Sequence, residues 1–534
     1  MPKLTLDGRE IDVQPGATIL QAALSRGHEI PHFCWHPGLS IAGNCRICLV
    51  EVEKAPKLQI ACQTQVQDGM VVRTASPRVE AARNAVMEFL LINHPLDCPI
   101  CDQAGECRLQ DNAVAHGTGI SRYTEPKLAL AKAVDIGEHV LLDQERCIQC
   151  SRCIRFCDEI TGTSELAFFR RGERTVIGIW PGRRLDNPYS GNVVDICPVG
   201  ALTLKEFRFQ TRVWYLENTP SICAGCARGC NVLIATGRQR ELMTTQGQQD
   251  DRIKRVVPRV NIEVNGHWMC DEGRLSFERL AVAPRLRQAE SGGSAADYDE
   301  VVREAARALA AAAQAGRAGL LAGPRATCET LYAWRRLGSA LGSLRGAVHA
   351  IERGADDELL LRRDKGANSR GAAWVLAPPT GEAGLLDAAA RGEIDVLVVL
   401  GDALDPHDTP ALPDAVRARV ETLIYVGPFR DAAAEAARLR LPAAAWSEED
   451  GSYVSFEDRV QLLRRARLAG GAARPGWRIA VDLALAAGVE LPAWTQAADV
   501  LAAAAQDVRE LDGLTEERIG LLGAPGGLAA TAGA

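Results

Sequence analysis

The chain has 534 residues, of which 47% are apolar and 24% charged, with a formal net charge of −7. This length predicts several domains, and the negative charge argues against a nucleic-acid-binding protein, which usually carries a basic excess. No apolar run is as long as a membrane span and the N-terminus lacks a secretory signal pattern, so a protein in the cytosol, or on the cytosolic face of a larger assembly, is expected.

The first 93 residues predict a small β-rich domain followed by a helix. KLTLDG and EIDVQPG form a hairpin candidate, ATILQAALSRG has helical apolar spacing and ends at Gly27, and CLVEVE and VVRTAS are later strands. EAARNAVMEFLLIN, residues 80–93, predicts a helix with an apolar face. This helix leads directly to His94.

Beyond residue 280 the composition shifts to Ala, Leu, Arg and Gly. Strand candidates AGLLAGP, IDVLVVLGD and TLIYVGP alternate with helical stretches, which predicts an α/β layer with a parallel sheet. The sequence contains neither G-x-G-x-x-G nor G-x4-G-K-S/T, the two common nucleotide-binding motifs. The C-terminal GAPGGLAATAGA is low in complexity and is expected to be disordered.

Seventeen cysteines give the strongest functional signal, and all except Cys328 lie in the first 270 residues. In a reducing cytosol such cysteines indicate metal ligands rather than disulfides. Closely spaced C-x2-C pairs favour metal, because two thiolates on one turn can bind the same ion or cluster. Four zinc sites would make a purely structural protein, whereas several iron–sulfur clusters on one chain would make an electron relay.

The first cysteine group consists of Cys34, Cys45, Cys48 and Cys62. It lies in a helix-to-strand loop, where the small residues of AGNCRIC let the backbone close over a cluster. Its C-x10-C-x2-C-x13-C spacing resembles the long-loop ferredoxin domain of respiratory complex I and related dehydrogenases. We therefore interpret it as a 2Fe–2S site, with zinc as the alternative. The nearby His32 and His36 are assigned to packing or to the surface, because four thiols complete the site.

A ferredoxin-type run, CIQCSRCIRFC, supplies Cys147, Cys150, Cys153 and Cys157. C-x2-C-x2-C-x3-C is the bacterial ferredoxin pattern, in which the fourth Cys, followed by Pro, serves the other cluster of a two-cluster protein. Here Cys157 precedes Asp158, and the remote Cys197 precedes Pro198. The prediction is one 4Fe–4S cluster that takes Cys197 as its fourth ligand and leaves Cys157 as a buried orphan thiol.

CAGCARGC and the later WMCDEGR supply the next group: Cys223, Cys226, Cys230 and Cys270. C-x2-C-x3-C followed by a distant Cys resembles the N-terminal 4Fe–4S subdomain of molybdopterin oxidoreductases. The last gap is longer than is usual in that family, and an inserted hairpin around TTQGQQDDRIKR would explain it. Cys270 is assigned as the fourth ligand because no other cysteine is available.

HPLDCPICDQAGEC holds the last three thiols: Cys98, Cys101 and Cys107. With Cys157 and Cys328 set aside, fifteen cysteines remain for the sixteen ligand positions of four clusters. The missing ligand belongs to this stretch, and His94 and His116 are the candidates. We favour His94, since it ends a predicted helix and Pro95 starts an extended turn, whereas AVAHGTG around His116 predicts a loop beyond the site.

Taken together, these motifs resemble the large iron–sulfur subunit of bacterial NADH:quinone oxidoreductase (respiratory complex I), closely over 275 residues and loosely beyond. In that family the histidine of H-x3-C-x2-C-x5-C is a cluster ligand, which implies the same role for His94. The resemblance implies a multidomain α+β and α/β protein with these segments: a β-grasp ferredoxin-like 2Fe–2S domain (1–78), a 4Fe–4S domain with one histidine and three cysteine ligands (79–119), a bacterial-ferredoxin-like 4Fe–4S domain (120–217), a molybdopterin-oxidoreductase-type 4Fe–4S subdomain (218–275), a degenerate molybdopterin-oxidoreductase-like α/β scaffold (276–520) and a flexible tail (521–534).

The resemblance also implies an electron relay with no substrate site of its own. Electrons would enter from a flavin-bearing NADH dehydrogenase subunit and leave to a further iron–sulfur subunit nearer the quinone, in a complex on the cytoplasmic side of the bacterial inner membrane. The first three clusters would form the path, and the cluster at Cys223 would be off it. No molybdopterin is expected, because CDEGR lacks the Lys that molybdoenzymes usually place after the fourth Cys and Cys328 has the pattern of an ordinary buried thiol.

Three alternatives remain at this stage. A large subunit of a formate dehydrogenase-like molybdoenzyme would bind molybdopterin, and the missing Lys counts against it. The relay subunit of an NAD-reducing hydrogenase usually stops after the ferredoxin part, unlike this chain. A zinc-stapled interaction protein would be colourless, whereas clusters would make the protein brown.

Overall fold

The computed structural model describes residues 1–237, 252–377 and 381–526. The chain divides into two compact units, Met1–Leu216 and Glu217–Ala534, which are described separately. No helix within the described ranges is both long and apolar enough to cross a membrane.

The first unit begins with a five-stranded sheet in the order β2-β1-β5-β3-β4. Its strands are β1 (Lys3–Leu6), β2 (Arg9–Asp12), β3 (Leu49–Val52), β4 (Gln59–Ile60) and β5 (Met70–Arg73). The predicted hairpin is present, since β1 and β2 pair antiparallel, and β5 returns parallel to β1. Helix α1 (Ile19–Leu24) starts at a capping box between Thr18 and Gln21 and ends before Gly27, which has a φ of 69°.

The rest of the first unit consists of short elements joined by long loops. They are α2 (Pro77–Leu91), α3 (Arg108–His116), β6 (Val134–Asp135), β7 (Val140–Leu142), α4 (Arg152–Glu159), β8 (Leu166–Phe169), β9 (Val176–Ile179), α5 (Asn192–Asp195) and β10 (Leu202–Leu204). The predicted helix before His94 is α2, which Ser76 caps at its N-terminus. Strands β10, β7 and β6 form one sheet, and β8 and β9 form a separate hairpin.

The second unit begins with a three-stranded sheet of β11 (Leu216–Ile222), β12 (Asn231–Gly237) and β13 (Ile253–Pro258), followed by α6 (Asp271–Arg274) and α7 (Ser276–Val282). Strands β12 and β13 pair antiparallel on either side of residues 238–251. The insertion predicted around TTQGQQDDRIKR falls mainly on this stretch, which lies outside the described residues.

A larger sheet in the order β15-β14-β20-β19-β18-β16-β17 follows. Its strands are β14 (Glu290–Ser291), β15 (Ser294–Ala295), β16 (Ala318–Ala322), β17 (Arg345–Val348), β18 (Val396–Leu400), β19 (Thr422–Gly427) and β20 (Leu439–Pro442). Its helices are α8 (Tyr298–Gln314), α9 (Cys328–Leu341), α10 (Ser369–Leu376), α11 (Glu382–Ala390), α12 (Asp414–Arg419) and α13 (Ala432–Ala436). The five strands from β16 to β20 run parallel, which confirms the predicted βα alternation.

The C-terminal part adds a small sheet and three helices. These are β21 (Gly451–Val454), β22 (Arg459–Leu463), α14 (Gly476–Ala487), α15 (Ala497–Asp507), α16 (Glu516–Ile519) and β23 (Ala524–Pro525). Strand β23 pairs with β22, so these two residues, which the sequence assigned to the flexible tail, belong to the folded part of the chain. Residues 527–534 of the predicted tail lie outside the described ranges.

Candidate metal centres

The first candidate site extends from the loop after α1 to the turn that follows β4. Its members are Cys34, Cys45, Cys48 and Cys62. The Cys34 amide donates to the Cys45 sulfur at 3.5 Å, and Arg46 has a φ of 64°, a left-handed turn between the second and third thiols. Hydrogen bonds from Cys45 and Cys62 lower the pKa of the Cys34 thiol, and hydrogen bonds to Cys34 and Cys48 raise the pKa of Cys62. The four sulfurs therefore converge, as a 2Fe–2S donor set requires.

Both ring nitrogens of His32 are already engaged. Nδ1 lies 2.8 Å from the Ile30 carbonyl oxygen, and an Arg108 guanidinium donor lies 3.0 Å from Nε2. The ring also packs edge-on against Trp35 at 5.3 Å. These contacts agree with the packing role predicted for His32. The Gly38 amide donates to Nδ1 of His36, which fits a local structural role as well.

The second candidate site is a cavity of about 120 Å³ lined by His94, Cys98, Cys101 and Cys107 together with apolar residues and Gly200. A Cβ added to Gly200 would lie 2.2 Å from the Cys101 sulfur, so this backbone approaches the sulfur as only glycine allows. Three thiols and an imidazole around such a cradle fit a 4Fe–4S cluster.

Helix α2 ends at Leu91 and places His94 just beyond its C-terminus. The Lys127 ammonium donates to the carbonyl oxygens of Leu91 and Ile92 at 2.8 and 2.7 Å, which caps that end. Burial and then the charge of Lys127 lower the pKa of His94 to about 4. The imidazole is therefore neutral near pH 7, as a metal ligand must be.

His116 has a different setting from the one predicted. The sequence placed it in a loop, but it is the last residue of α3, and that expectation is wrong. Cys107 occupies the N-cap position of α3, so the helix follows directly on the loop that carries the thiols and extends to His116. His116 is not among the residues that line the cavity with His94.

The third candidate site combines Cys147 and Cys150, from the loop between β7 and α4, with Cys153 on α4 and Cys197 just after α5, and all four line one cavity. Gln149 and Ser151 have φ values of 54° and 65°, and the Gln149 amide donates to the Cys147 sulfur at 3.4 Å. Burial raises the pKa of Cys147 to about 12 and that of Cys150 to about 11. Such thiols would release protons on binding metal, which makes binding tighter at higher pH.

Cys157 is buried on α4, one turn beyond Cys153, and does not line this cavity. Burial and then the nearby Glu165 raise its pKa to about 12. Its placement agrees with the predicted orphan thiol, and Cys197 takes the fourth position around the cavity.

The fourth candidate site, in the second unit, is a small cavity lined by Cys223, Cys226, Cys230 and Cys270. The amides of Gly225 and Gly273 donate to the sulfurs of Cys223 and Cys270, both at 3.3 Å. A Cβ on Gly273 would lie 2.9 Å from the Cys223 sulfur. Cys270 thus joins the other three thiols despite the long intervening segment, and N–H···S bonds of this kind fit cluster thiolates.

Some residues at these sites carried no signal in the sequence. Glu272 lines the fourth cavity, and Lys365 donates to its carboxylate from a segment far along the chain. Gly200 lies at the second site although its sequence neighbours belong to the third. Only the tertiary fold brings Lys365 to the fourth site and Gly200 to the second, so no spacing pattern marks these two residues.

Cys328 starts α9 in the second unit and is fully buried, as predicted. Its sulfur lies 3.6 Å from the Asn368 side-chain oxygen.

The buried Arg325 guanidinium lies at the carboxyl ends of β16 and β18, the place where ligands bind in such sheets. It pairs with Asp402 and Asp408 at 2.7 and 2.8 Å.

Family models match four parts of the chain. They are the 2Fe-2S iron-sulfur cluster binding domain over residues 2–77, the NADH-ubiquinone oxidoreductase-G iron-sulfur binding region over 83–122, the ferredoxin-like domain of NADH-quinone oxidoreductase subunit 3 over 137–203, and molybdopterin oxidoreductase over 364–486. These matches confirm the predicted multidomain fold class, with its ferredoxin-like, iron–sulfur and molybdopterin-oxidoreductase-like parts.

The G subunit of NADH-quinone oxidoreductase from Rickettsia bellii is 47% identical over 280 residues, which are 52% of this chain and 39% of that protein. This chain is a homologue of the G subunit of NADH-quinone oxidoreductase. The Streptomyces coelicolor G subunit is 40% identical over 65% of this chain and 41% of its own length, and the Neurospora crassa mitochondrial NADH-ubiquinone oxidoreductase 78 kDa subunit is 41% identical over 64% and 45%. The matches thus span less than half the length of these relatives.

One solved structure in the comparison is an NAD+-reducing nickel–iron hydrogenase in its H2-reduced state. Its chain is 33% identical and matches 40% of this chain and 91% of its own length, with a TM-score of 0.37.

Proposed function

We propose that this chain is an electron-relay subunit of an NADH:quinone oxidoreductase that holds one 2Fe–2S and three 4Fe–4S clusters. The proposed ligand sets are Cys34, Cys45, Cys48 and Cys62 for 2Fe–2S; His94, Cys98, Cys101 and Cys107; Cys147, Cys150, Cys153 and Cys197; and Cys223, Cys226, Cys230 and Cys270. When bound, the clusters supply one-electron carriers. The residues of this chain hold and space them.

The observation that carries the proposal is the contiguity of the three sites in the first unit. Cys34, Cys107 and Cys150, one thiol from each site, lie in the same buried apolar cluster. Electron tunnelling falls steeply with distance, so carriers that share one core are close enough to exchange electrons. Zinc staples would have no need of such an arrangement.

A single backbone segment separates the second and third sites. Val199 and Ala201 line the cavity of Cys147, whereas Gly200 between them lines the cavity of His94. The Cys107 sulfur also approaches the Pro198 carbonyl oxygen at 3.9 Å. The two proposed clusters would therefore be divided by the thickness of one backbone.

Helix α4 links the first and third sites. The Arg152 guanidinium donates to the carbonyl oxygens of Ile196 and Trp35 at 3.1 and 2.5 Å, next to Cys197 and Cys34 respectively. Arg155 donates to the Cys34 carbonyl oxygen as well. The contacts support the order Cys34 site, Cys147 site, His94 site along the path.

We propose the partners that the family resemblance implies. Electrons would enter from a flavin-bearing NADH dehydrogenase subunit and leave to a further iron–sulfur subunit toward the quinone. The chain would act peripherally, on the cytoplasmic side of a bacterial inner membrane.

The α/β part of the second unit is proposed to be a scaffold, although residues 364–486 match molybdopterin oxidoreductases. This proposal is supported by the buried Arg325 at the strand ends, whose charge is neutralised by ion pairs with Asp402 and Asp408. A buried guanidinium held by two carboxylates would have to be displaced for a pterin to enter there.

The test is quantification of iron, acid-labile sulfide and molybdenum in the anaerobically purified chain, combined with EPR of the reduced protein. One 2Fe–2S and three 4Fe–4S clusters correspond to about fourteen iron ions per chain, with no stoichiometric molybdenum. Zinc in place of iron would contradict the relay, and stoichiometric molybdenum with a pterin would favour the molybdoenzyme instead.

A further inference from the structure

Two opposite charges lie beside the thiols of the fourth site. Glu272 lines the cavity together with Cys223, Cys226, Cys230 and Cys270. The Lys365 ammonium donates to the Glu272 carboxylate at 2.7 Å, and only 5% of Lys365 is exposed to solvent. A nearly buried lysine at a thiol-rich site is unusual, because burial of an ammonium is costly without a use for its charge.

The backbone fixes Lys365 at this position. The Ala227 amide, next to Cys226, donates to the carbonyl oxygen of Asp364 at 2.9 Å, and the Lys365 amide donates to Ile351 at 2.8 Å. Leu360 and Leu361 of the same segment line the cavity. The segment from 351 to 365 therefore forms one wall of the site and carries the ammonium with it.

The charges of the pair act on the sulfurs in opposite directions. Glu272 lines the cavity beside Cys223 and Cys226, and the segment that carries Lys365 reaches the loop next to Cys226 through the hydrogen bond from Ala227 to Asp364. Lys365 thus favours extra negative charge at this site and Glu272 disfavours it.

Arg228, within the cluster loop, pairs with Glu457 at 3.4 Å. Arg325 is a further cation near the loop, and it is neutralised locally. Its Nε donates to the Ala224 carbonyl oxygen at 2.8 Å, but its terminal nitrogen pairs with Asp402 and Asp408. Lys365 has one carboxylate partner at the site, and Glu272 has a second cation, Arg353, only at 3.7 Å.

We propose that Lys365 and Glu272 are positioning residues that set the reduction potential of the cluster held by Cys223, Cys226, Cys230 and Cys270, with Lys365 raising the potential and Glu272 lowering it. Reduction adds one electron to the site and breaks no bond, so a fixed positive charge nearby favours it and a fixed negative charge opposes it. CDEGR has no lysine after Cys270, and the fold supplies one from a remote segment. The inference rests on the proposed ligand set for this site.

The test is an EPR-monitored redox titration of the full-length chain with dithionite as reductant. The component that belongs to this site is the one lost in Cys230→Ala. Lys365→Met is expected to lower its midpoint potential, on the order of tenfold in the reduction equilibrium or about 59 mV for one electron. Glu272→Gln is expected to raise it, and the double variant to return close to the wild type.

Opposite shifts distinguish tuning from damage, since a purely structural role would shift both variants the same way or leave both unchanged, and either result overturns the inference. Arg363→Met is the matched control, because Arg363 lies on the same segment but pairs with Glu352 at the surface. It is expected to leave the potential unchanged. If Lys365→Met loses its cluster, Lys365→Arg, which keeps the charge, and Glu272→Gln decide the outcome. Absence of a signal lost in Cys230→Ala would instead overturn the ligand set, and this inference with it.

Discussion

In the first unit the thiols themselves belong to the apolar cores, with Cys48 and Cys62 in one cluster and Cys34, Cys107 and Cys150 in another. In the second unit the main core is built from helices α8, α9 and α14 against fully buried parallel strands such as β18. Its central strands β16, β18 and β19 have five or six residues, whereas no strand described in the first unit has more than four.

This difference indicates that the two units are stabilised by different means. Small domains with short strands bury too little apolar surface to be stable alone, and bound metal can contribute folding free energy directly. A large α/β layer is stabilised by burial of its own side chains. The first unit is therefore expected to depend on its clusters, and the α/β part of the second on its core.

Removal of iron should have the largest effect and should separate the two regions. Chelation under anaerobic reducing conditions is expected to expose residues 79–216 to proteolysis, because the loops that carry His94 and Cys147 lose the proposed clusters that hold them in place. Cleavage in the α/β layer around β18 should be much slower. Mass spectrometry of a limited digest measures this, and equal rates in both regions would contradict the comparison.

The next effect tests how closely the first unit encloses its clusters. In Gly200→Ala the new Cβ would overlap the Cys101 sulfur, so the cluster at His94 should be lost and the domain destabilised by more than the ~1–3 kcal/mol of ordinary overpacking. Iron content and the EPR component of that site measure it. Gly346→Ala is the control, because its Cβ meets no atom within 4 Å. Equal effects of the two variants would contradict the close approach of the Gly200 backbone to the Cys101 sulfur.

A pH effect is expected in the second unit. Burial raises the pKa of Glu449 to about 8, from an ordinary value of 4.5. The folded state then holds a proton that the unfolded state has lost, so this stabilisation is complete below pH 4.5 and disappears as the pH rises through 8, by at most about 1.4 kcal/mol per pH unit.

Glu449→Gln should remove this pH dependence. The unfolding free energy of the variant minus that of the wild type should therefore be larger at pH 9 than at pH 5. Pulse proteolysis in urea, scored on fragments of the α/β layer, gives the unfolding free energy at each pH. Glu490→Gln, a change at an exposed position, is the control and should keep the wild-type slope. A variant whose slope matches the wild type would refute the assignment.

The smallest expected effect is a change in the reduction potential of the proposed cluster at His94. His94→Cys should keep a cluster but lower its potential, on the order of 100 mV, because a thiolate brings the negative charge that a neutral imidazole lacks. A redox titration by EPR measures it. His116→Cys, at the end of α3, should have no effect, and an unchanged signal and potential in His94→Cys would exclude His94 as a ligand.

The structure brings together the cysteines that the sequence grouped, because most members of each group lie within a few residues of one another. The C-x2-C runs around Cys147 and Cys223 need only local backbone turns, as Gln149 and Ser151 show. The parallel sheet was also predictable, since IDVLVVL is apolar throughout most of its length, as a strand covered on both faces must be.

The errors and omissions arise where distant segments meet. His116 was predicted to lie in a loop because AVAHGTG has a loop-like composition, but α3, Arg108–His116, includes it. Ala524 and Pro525 pair with β22, which a composition-based prediction of disorder cannot detect. Gly200, Lys365 and Arg325 act at sites set by other parts of the chain, and no spacing marks them.

The most direct test of the relay is magnetic coupling between the proposed clusters of the first unit. In the fully reduced full-length chain, the EPR component of the His94 site should be broadened and relax faster because a second paramagnetic cluster at Cys147 lies one backbone away. Cys150→Ala, which removes that neighbour, should sharpen it and slow its relaxation. An identical line width and relaxation rate in the two proteins would contradict a continuous path.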